Sequence, residues 1–243
     1  MTALSPATRP PAAPAPGRGL AIAGEILITL GVLVLGFLAW QLGFNNLVAS
    51  ASQHASASSL SQSFSSAGSS GSASKPVVDT PPRTGKGFAV VRIPRFGSSW
   101  KFTVAQGVDT TTILDNPKLG LGHYPGTQMP GAIGNFAIAG HRTTYGAPMF
   151  KVFDLKKGDP VVVQTKSGWY VYRVRSIQVV LPTALDVLAP VSGHPGKTAT
   201  ARSMTITTCT PLYSAAHRAV VHLRWSSWRP TSAGPPAVLD GKG

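Results

Sequence analysis

Cys209 is the residue with the most distinctive chemistry, because it is the only cysteine among 243 residues. It ends the run Thr205 to Cys209 at the exposed end of a predicted strand. A single thiol forms no internal disulfide, and it does not by itself make a cysteine-type zinc site. The roles left open are a buried apolar side chain, a bridge to another molecule and a nucleophile.

Side-chain alternation along the predicted strands places two further reactive groups on the same outer face as Cys209. Successive side chains of a strand point to opposite faces, and this rule turns His141 and Arg218 outward with the thiol. The eight residues between Cys209 and Arg218 suit a hairpin connection between antiparallel neighbours. We expect Ala137 and Ala139 to form the floor of a groove beside them. The side chains directed into the core are Phe136, Ile138, Met204, Ile206, Ala219, Val221, Leu223 and Trp225.

Thiol, imidazole and guanidinium together are suited to acyl transfer. A cysteine nucleophile needs a base or a cation nearby, and a cationic donor stabilises the negative charge that develops on a carbonyl oxygen. We assign these two roles to His141 and Arg218. His123 in a predicted turn and His217 remain alternative partners of the thiol. Arg224 lies on the same predicted strand face as Arg218. A role as an ordinary exposed charge therefore remains the alternative for Arg218.

The N-terminal region predicts a membrane anchor. Residues 20–40 contain a single charged side chain and span about 31 Å as a helix, which matches a hydrocarbon core of about 30 Å. Two arginines precede this segment, and the next charged residue is Lys75. Residues 1–19 are therefore predicted to be a cytoplasmic tail, with the rest of the chain outside the cell. A cleaved signal peptide with a site near Ala49 and Ala51 is the alternative.

Residues 41–86 are predicted to be a flexible linker rich in serine, alanine and glycine. Thirteen serines occur among the 25 residues from Ser50 to Ser74. So few apolar side chains do not offset the entropy lost on ordering the chain. The expected role of this segment is to hold the folded part near the membrane.

Residues 87–229 are predicted to form one catalytic domain, followed by a C-terminal tail at 230–243. Many short strands with little helix predict a mostly β fold, a closed or nearly closed barrel of about eight strands. Short helices are expected at Thr110–Asp115 and Ala147–Leu155. The predicted strands are Phe88–Ile93, Phe102–Gln106, Phe136–His141, Val161–Thr165, Trp169–Val180, Ser203–Cys209 and Ala219–Trp225.

Several short motifs resemble those of sortases. The run Thr205 to Cys209 resembles the TLxTC signature, with Ile206 in place of leucine. His141, between Gly140 and Arg142, resembles the strand-end histidine, and Arg218 lies nine residues after the cysteine, as in that family. Together with the runs at 122–127 and 141–146, these motifs look most like class E sortases of high-GC Gram-positive bacteria.

The resemblance implies a sortase-type β-barrel and a cysteine transpeptidase. Cys209 would attack the threonine carbonyl of an LAxTG-like or LPxTG-like sorting motif and form a thioacyl-enzyme. His141 would protonate the departing glycine amine and later deprotonate the incoming amine. Arg218 would stabilise substrate and oxyanion. The substrate-binding residues expected by similarity are Thr207, Thr208, Ala139 and Tyr124, the last of which would select alanine over proline in the motif.

The resemblance also implies the partners. These are secreted proteins with a C-terminal sorting signal, an amine of the peptidoglycan precursor and the cell membrane. The catalytic domain would be extracellular. No cofactor or metal is expected, because five scattered aspartates and no glutamate occur in residues 88–228.

Two other classes of protein remain open, and the positive charge of the chain raises a third, a nucleic-acid-binding protein. An L,D-transpeptidase also pairs cysteine with histidine, but it normally places its cysteine after Ser-x-Gly, where this chain has Thr207 and Thr208. A non-catalytic wall-binding module needs no thiol. Residues 88–228 carry fifteen Lys or Arg against five Asp, but export favours anionic wall polymers and lipid head groups over nucleic acid.

Overall fold

The computed structural model describes residues 17–40, 45–66 and 75–240. In its described part, the first compact unit is a helix, α1, at Arg18–Ala39. Residues 19–39 of α1 are long and apolar enough to cross a membrane. This agrees with the predicted span, whereas residues 1–16 of the predicted cytoplasmic tail lie outside the described part. The orientation of the span stays a prediction.

The second unit begins with a helix where a flexible linker was predicted. Helix α2, at Asn45–Ser66, packs one face against the barrel. Ala57 and Phe64 are buried on this face, with Leu60 half-buried between them. Their spacing of three and four residues places them on one side of a helix. The prediction of coil was wrong here because it counted serines and not the apolar side chains spaced between them.

Residues 75–86 of the predicted linker form no helix or strand, but they are attached to the barrel. The carboxylate of Asp79 accepts hydrogen bonds from Thr165 and Ser167, each at 2.6 Å. The hydroxyl of Tyr170 donates to the carbonyl of Val77. Backbone and side-chain hydrogen bonds therefore hold the chain against the domain before the first strand begins.

Eight strands form a closed barrel, as the sequence predicted. They are β1 Gly87–Arg92, β2 Lys101–Gln106, β3 Gly120–His123, β4 Gly134–Gly140, β5 Pro160–Gln164, β6 Gly168–Val180, β7 Arg202–Thr210 and β8 His217–Pro230. Their order around the barrel is β1-β2-β3-β4-β7-β8-β6-β5. Two pairs are parallel, β2 with β3 and β4 with β7. Strand β3 was not predicted, because it has two glycines among four residues.

The predicted alternation of side chains is confirmed in the strands that carry the reactive groups. Met204 and Ile206 of β7 are fully buried in the barrel interior, as are Phe136 and Ile138 of β4. Tyr170 and Tyr172 also belong to this core. The core members from β8 are Ala219, Val221 and Leu223, with Trp225 packed against them.

The short helical segments are shorter than predicted but more numerous, because 3₁₀ turns also form at Pro94–Phe96, Leu185–Leu188, Thr231–Ala233 and Ala237–Leu239. A single π-helical turn occupies Thr110–Leu114, close to the predicted position. Within the predicted helix Ala147–Leu155 only a 3₁₀ turn at Val152–Asp154 forms. Ala147 has a φ of 45°, which is incompatible with starting a right-handed helix.

The last described residues pack on the outside of the barrel. Val238 and Leu239 lie against a cluster of Val162, Trp169 and Val171. The side chains of this cluster point away from the main core. The C-terminal segment thus covers apolar surface that β5 and β6 would otherwise expose.

Packed α2 should protect its backbone amides from hydrogen exchange. We expect the amides of the central turns of α2 to exchange on the order of 100-fold slower than those of an unstructured peptide, because exchange requires the helix to leave the barrel. Ala57→Glu, which buries a charge at that contact, should remove the protection while leaving β7 protected. Exchange of α2 at peptide rates in the wild-type chain would show that the segment is a free linker.

Candidate active site

Cys209 and Arg218 lie directly opposite each other on neighbouring strands. The antiparallel register pairs Cys209, the second-to-last residue of β7, with Arg218, the second residue of β8. Directly paired side chains share a face, with Cβ atoms about 4.5–5.5 Å apart. Cys209 is partly exposed. The Arg218 Nη1 donates to the carbonyls of Ala215 and His217 at 2.9 and 3.1 Å. These hydrogen bonds hold the guanidinium beside the loop that joins β7 to β8.

His141 lies at the same end of the barrel, directly after β4, which is the other neighbour of β7. The parallel register pairs Ala139 of β4 with Thr207 of β7. His141 and Cys209 each follow two residues later, so both lie at the carboxyl ends of adjacent parallel strands. The side chain of His141 retains 19% of its accessible surface. The structure therefore brings the three predicted catalytic residues to one end of the barrel.

Asp115 is a partner of His141 that the sequence did not reveal. Its Oδ1 lies 2.7 Å from the His141 Nε2, and both side chains are partly buried. A carboxylate accepts hydrogen bonds, so Nε2 carries the proton and Nδ1 is the ring nitrogen left for other chemistry. Asp115 follows the π-helical turn that Asp109 caps through the Thr112 amide, at 2.8 Å. Nothing in the spacing of 26 residues links it to the histidine in advance.

Arg142 is a second residue that sequence reasoning missed. Its Nη1 donates to the Thr210 Oγ1 at 2.8 Å, and its guanidinium lies 4.7 Å from the centre of the Phe153 ring. Thr210 follows Cys209 in β7. Arg142 thus ties the residue after His141 to the residue after the cysteine.

The alternative histidine partners lie elsewhere. His123 is buried on the inner side of the barrel, with its Nδ1 2.7 Å from the Gln106 Oε1 and its Nε2 3.1 Å from the Gln128 carbonyl. His217 is paired with Thr210, one position from Arg218, so its side chain takes the opposite face of the ladder. His141 is the only one of these three that the described residues place on the outer face at the end of β4.

The predicted substrate-binding residues fall into two groups. The Tyr124 hydroxyl lies 2.9 Å from the Thr207 Oγ1, and both line one pocket with Arg218. Ala139 pairs with Thr207 and shares its face. Thr208 is buried on the opposite face, and its hydroxyl donates to the Gly140 carbonyl at 2.8 Å. The side chain of Thr208 therefore lies on the face opposite to Cys209.

Most of the residues that line the pocket beside Arg218 and Thr207 are aliphatic. Its aliphatic members come from the end of β6, from β8 and from the connection before β7. They are Val180, Leu181, Pro182, Ala184, Leu185, Val187, Leu188 and Val220. Such side chains suit the binding of a short apolar group beside Arg218. Among the described residues, no group of three His, Cys, Asp or Glu side chains is placed to hold a metal ion.

A comparison with known proteins identifies the family. A model of the sortase domain matches residues 91–225. Sortase SrtE2 of Streptomyces coelicolor is 30% identical over 222 residues, which is 85% of this chain and 83% of that protein. Sortase SrtE1 of the same organism is 36% identical over 239 residues, which is 96% of this chain but only 64% of the relative's own length. The chain belongs to the sortase family.

A solved structure agrees with this assignment. Sortase E1 from Streptomyces coelicolor, crystallised with a tripeptide in the active site, matches with 36% identity and a TM-score of 0.59. The match covers 65% of this chain and 99% of that one. The closed barrel of eight strands is thus the sortase fold that the sequence motifs implied.

Burial of His123 should make the stability of the domain depend on pH. Burial lowers the pKa of His123 to about 4 from its ordinary 6.5, outweighing the Gln128 carbonyl that raises it. Below pH 6.5 the unfolded chain binds a proton at His123 that the folded chain does not accept until about pH 4. The free energy of unfolding should therefore fall as pH decreases through this window, by up to about 3 kcal/mol.

The control is His123→Gln, which removes the titration and keeps hydrogen-bonding groups. Urea unfolding between pH 4 and pH 7 should give a shallower slope for this variant. Burial also lowers the pKa values of His54 and His222, and both remain in the variant. Parallel pH curves for the two chains would contradict the assignment to His123.

Proposed function

We propose that this chain is a class E-type cysteine transpeptidase that cleaves an LAxTG-like or LPxTG-like sorting motif between threonine and glycine. The observation that carries the proposal is the placement of Cys209 across from Arg218, with His141 at the same strand ends, in a member of the sortase family. A thiol, a cation and an imidazole at one edge are the groups that acyl transfer through a thioester requires.

The first half-reaction forms the thioacyl-enzyme. The Cys209 thiolate attacks the threonine carbonyl carbon, and the electron pair of the carbonyl bond moves to oxygen. Arg218 stabilises this oxyanion. As the tetrahedral intermediate collapses, the bond to the glycine nitrogen breaks and His141 donates a proton to that nitrogen. The products are a thioester on Cys209 and a peptide that begins with glycine.

The second half-reaction transfers the acyl group to an amine. The incoming amine, from the peptidoglycan precursor, attacks the thioester carbonyl while His141 removes a proton from it. The carbon–sulfur bond breaks, and the thiolate of Cys209 is restored. The product is a secreted protein joined to the cell wall through an amide bond. Helix α1 would hold the enzyme in the membrane, with its N-terminus in the cytoplasm.

Asp115 supports His141 in both half-reactions. A carboxylate hydrogen-bonded to Nε2 fixes the tautomer and directs Nδ1 toward the reacting atoms. It also stabilises the imidazolium that forms when the ring holds the proton. Asp115 touches no reacting atom, so we assign it a positioning role.

Peptide turnover tests the proposal. The purified chain should release a glycine-led product from an LAxTG peptide, and mass spectrometry should detect the acyl group on Cys209. Cys209→Ala should abolish release, whereas His141→Ala and Arg218→Ala should each lose at least about 100-fold in kcat/KM. Arg224→Ala removes an exposed arginine from the same face of β8 and should leave turnover unchanged.

Three results would contradict the proposal. Cleavage of a peptidoglycan tetrapeptide instead of the sorting peptide would favour an L,D-transpeptidase. Wall binding that survives Cys209→Ala, without any cleavage by the wild-type chain, would favour a binding module. Near-wild-type rates of His141→Ala or Arg218→Ala would remove that residue from the mechanism.

Tyr124 and Thr207 should set the preference for the second position of the motif. Their mutual hydrogen bond fixes the phenol ring over the apolar pocket, which limits the room for a proline ring. Tyr124→Phe removes that bond and should shift the ratio of kcat/KM for LAxTG over LPxTG peptides by about fivefold toward proline, since one hydrogen bond contributes about 1 kcal/mol. Thr207→Val should act in the same direction, and an unchanged ratio in both variants would exclude these residues from selection.

A further inference from the structure

Helix α2 contacts the two loops that hold His141 and Asp115. We propose that Gln53, in the third turn of α2, is a positioning residue that holds the His141–Asp115 pair together. The expected effect on turnover rests on the proposed function. The positioning of the pair rests only on the contacts of α2. It gives the serine-rich segment before the barrel a role in the active site.

The side-chain amide of Gln53 bridges the two loops directly. Its Nε2 donates to the carbonyl of Asn116 and to the carbonyl of Tyr145, each at 3.1 Å. Asn116 is the neighbour of Asp115. Tyr145 lies in the loop after β4, and its ring centre is 5.2 Å from that of His141. One nitrogen therefore links the backbone beside the carboxylate to the backbone beside the imidazole.

The surroundings of Gln53 leave its amide little freedom. The side chain is fully buried. Gly146 follows Tyr145, and a Cβ added there would lie 2.2 Å from the Gln53 Oε1. A Cβ at Gly120 would lie 3.2 Å from the Gln53 Cδ. Two glycines thus make room for the amide, and only Nε2 is able to donate to both carbonyls.

The first turn of α2 adds a second attachment to the same loop. The Asn46 Nδ2 donates to the carbonyl of Thr143 at 3.0 Å, and the Asn46 Oδ1 accepts from the Gly146 amide at 3.2 Å. The distal part of α2 is attached elsewhere. There the Ser61 Oγ donates to the Gln164 Oε1 and accepts from Arg92, both at 2.7 Å.

A bridge between these loops matters because neither His141 nor Asp115 lies within a strand. Their hydrogen bond of 2.7 Å depends on the distance between the π-helical turn and the loop after β4. If the bridge is lost, the loops separate, and the carboxylate no longer fixes the ring of His141. Tyr124, Thr207 and Arg218 are attached to other segments, so substrate binding should not change. The expected defect is therefore in kcat and not in KM.

The test uses Gln53→Met in the full chain, purified in detergent. Methionine has a similar length and no donor, so it removes both hydrogen bonds while keeping most of the packing. We expect kcat on the sorting peptide to fall about 10-fold with KM unchanged, since small misplacements of a catalytic group have effects of this order or larger. Ser61→Ala is the matched control, because it removes a contact of the same helix far from these loops. It should lower the melting temperature without lowering kcat.

A double-mutant cycle separates positioning from general stability. If Gln53 acts through the pair, Gln53→Met should add no more than about twofold to the kcat loss of Asp115→Asn. If the kcat losses of the two single variants multiply in the double variant, the inference is overturned. It is also overturned if Asp115→Asn is as active as the wild type. Equal kcat losses in Gln53→Met and Ser61→Ala would overturn it as well.

A second readout does not depend on the substrate. In the chain with ¹⁵N-labelled histidine, the Nε2 resonance of His141 should move in Gln53→Met toward its position in Asp115→Asn, and stay in place in Ser61→Ala. An unmoved resonance in Gln53→Met would overturn the positioning role even in an active enzyme. A moved resonance in a chain that cleaves no sorting peptide would reject the proposed function and support the contact.

Discussion

The position of β7 between β4 and β8 is the constraint on which the active site depends. Parallel pairing with β4 brings the end of that strand, and His141 after it, beside Cys209. Antiparallel pairing with β8 puts Arg218 directly opposite the thiol. A shift of one residue in either register would turn these side chains to opposite faces, so the buried core side chains of β7 and its neighbours fix the chemistry as well as the fold.

The outer end of the barrel needs more than strand pairing, because two of its groups lie on loops. Asp115 follows a π-helical turn, and His141 comes just after the last residue of β4. Hydrogen bonds from Arg142 to β7 and from α2 to both loops supply the missing constraints. The segment before the barrel is therefore part of the catalytic domain in its packing, although its composition is that of a linker.

Features that depend on neighbouring residues were predictable from the sequence, whereas features that depend on contacts between distant residues were not. Seven strands were predictable because alternation and turn residues are local, whereas β3 has only Leu121 as a strongly apolar side chain. Helix α2 was missed because its apolar face is narrow and is stabilised by contacts with residues such as Val90, far along the chain. Asp115 was missed because its partner comes 26 residues later and no motif joins them.

The sequence by itself determined the anchor-like apolar segment, the mostly β barrel, and the common outer face of Cys209, His141 and Arg218, while it left His123 and His217 as alternative partners of the thiol. These features depend on composition, on alternation and on short motifs, which are properties of adjacent residues. The tertiary structure decided which of the three histidines lies at the strand ends beside Cys209, which carboxylate hydrogen-bonds to it, and that a serine-rich helix hydrogen-bonds to both loops. Those contacts join residues distant in the chain, and only the closed barrel brings their backbones within hydrogen-bonding distance.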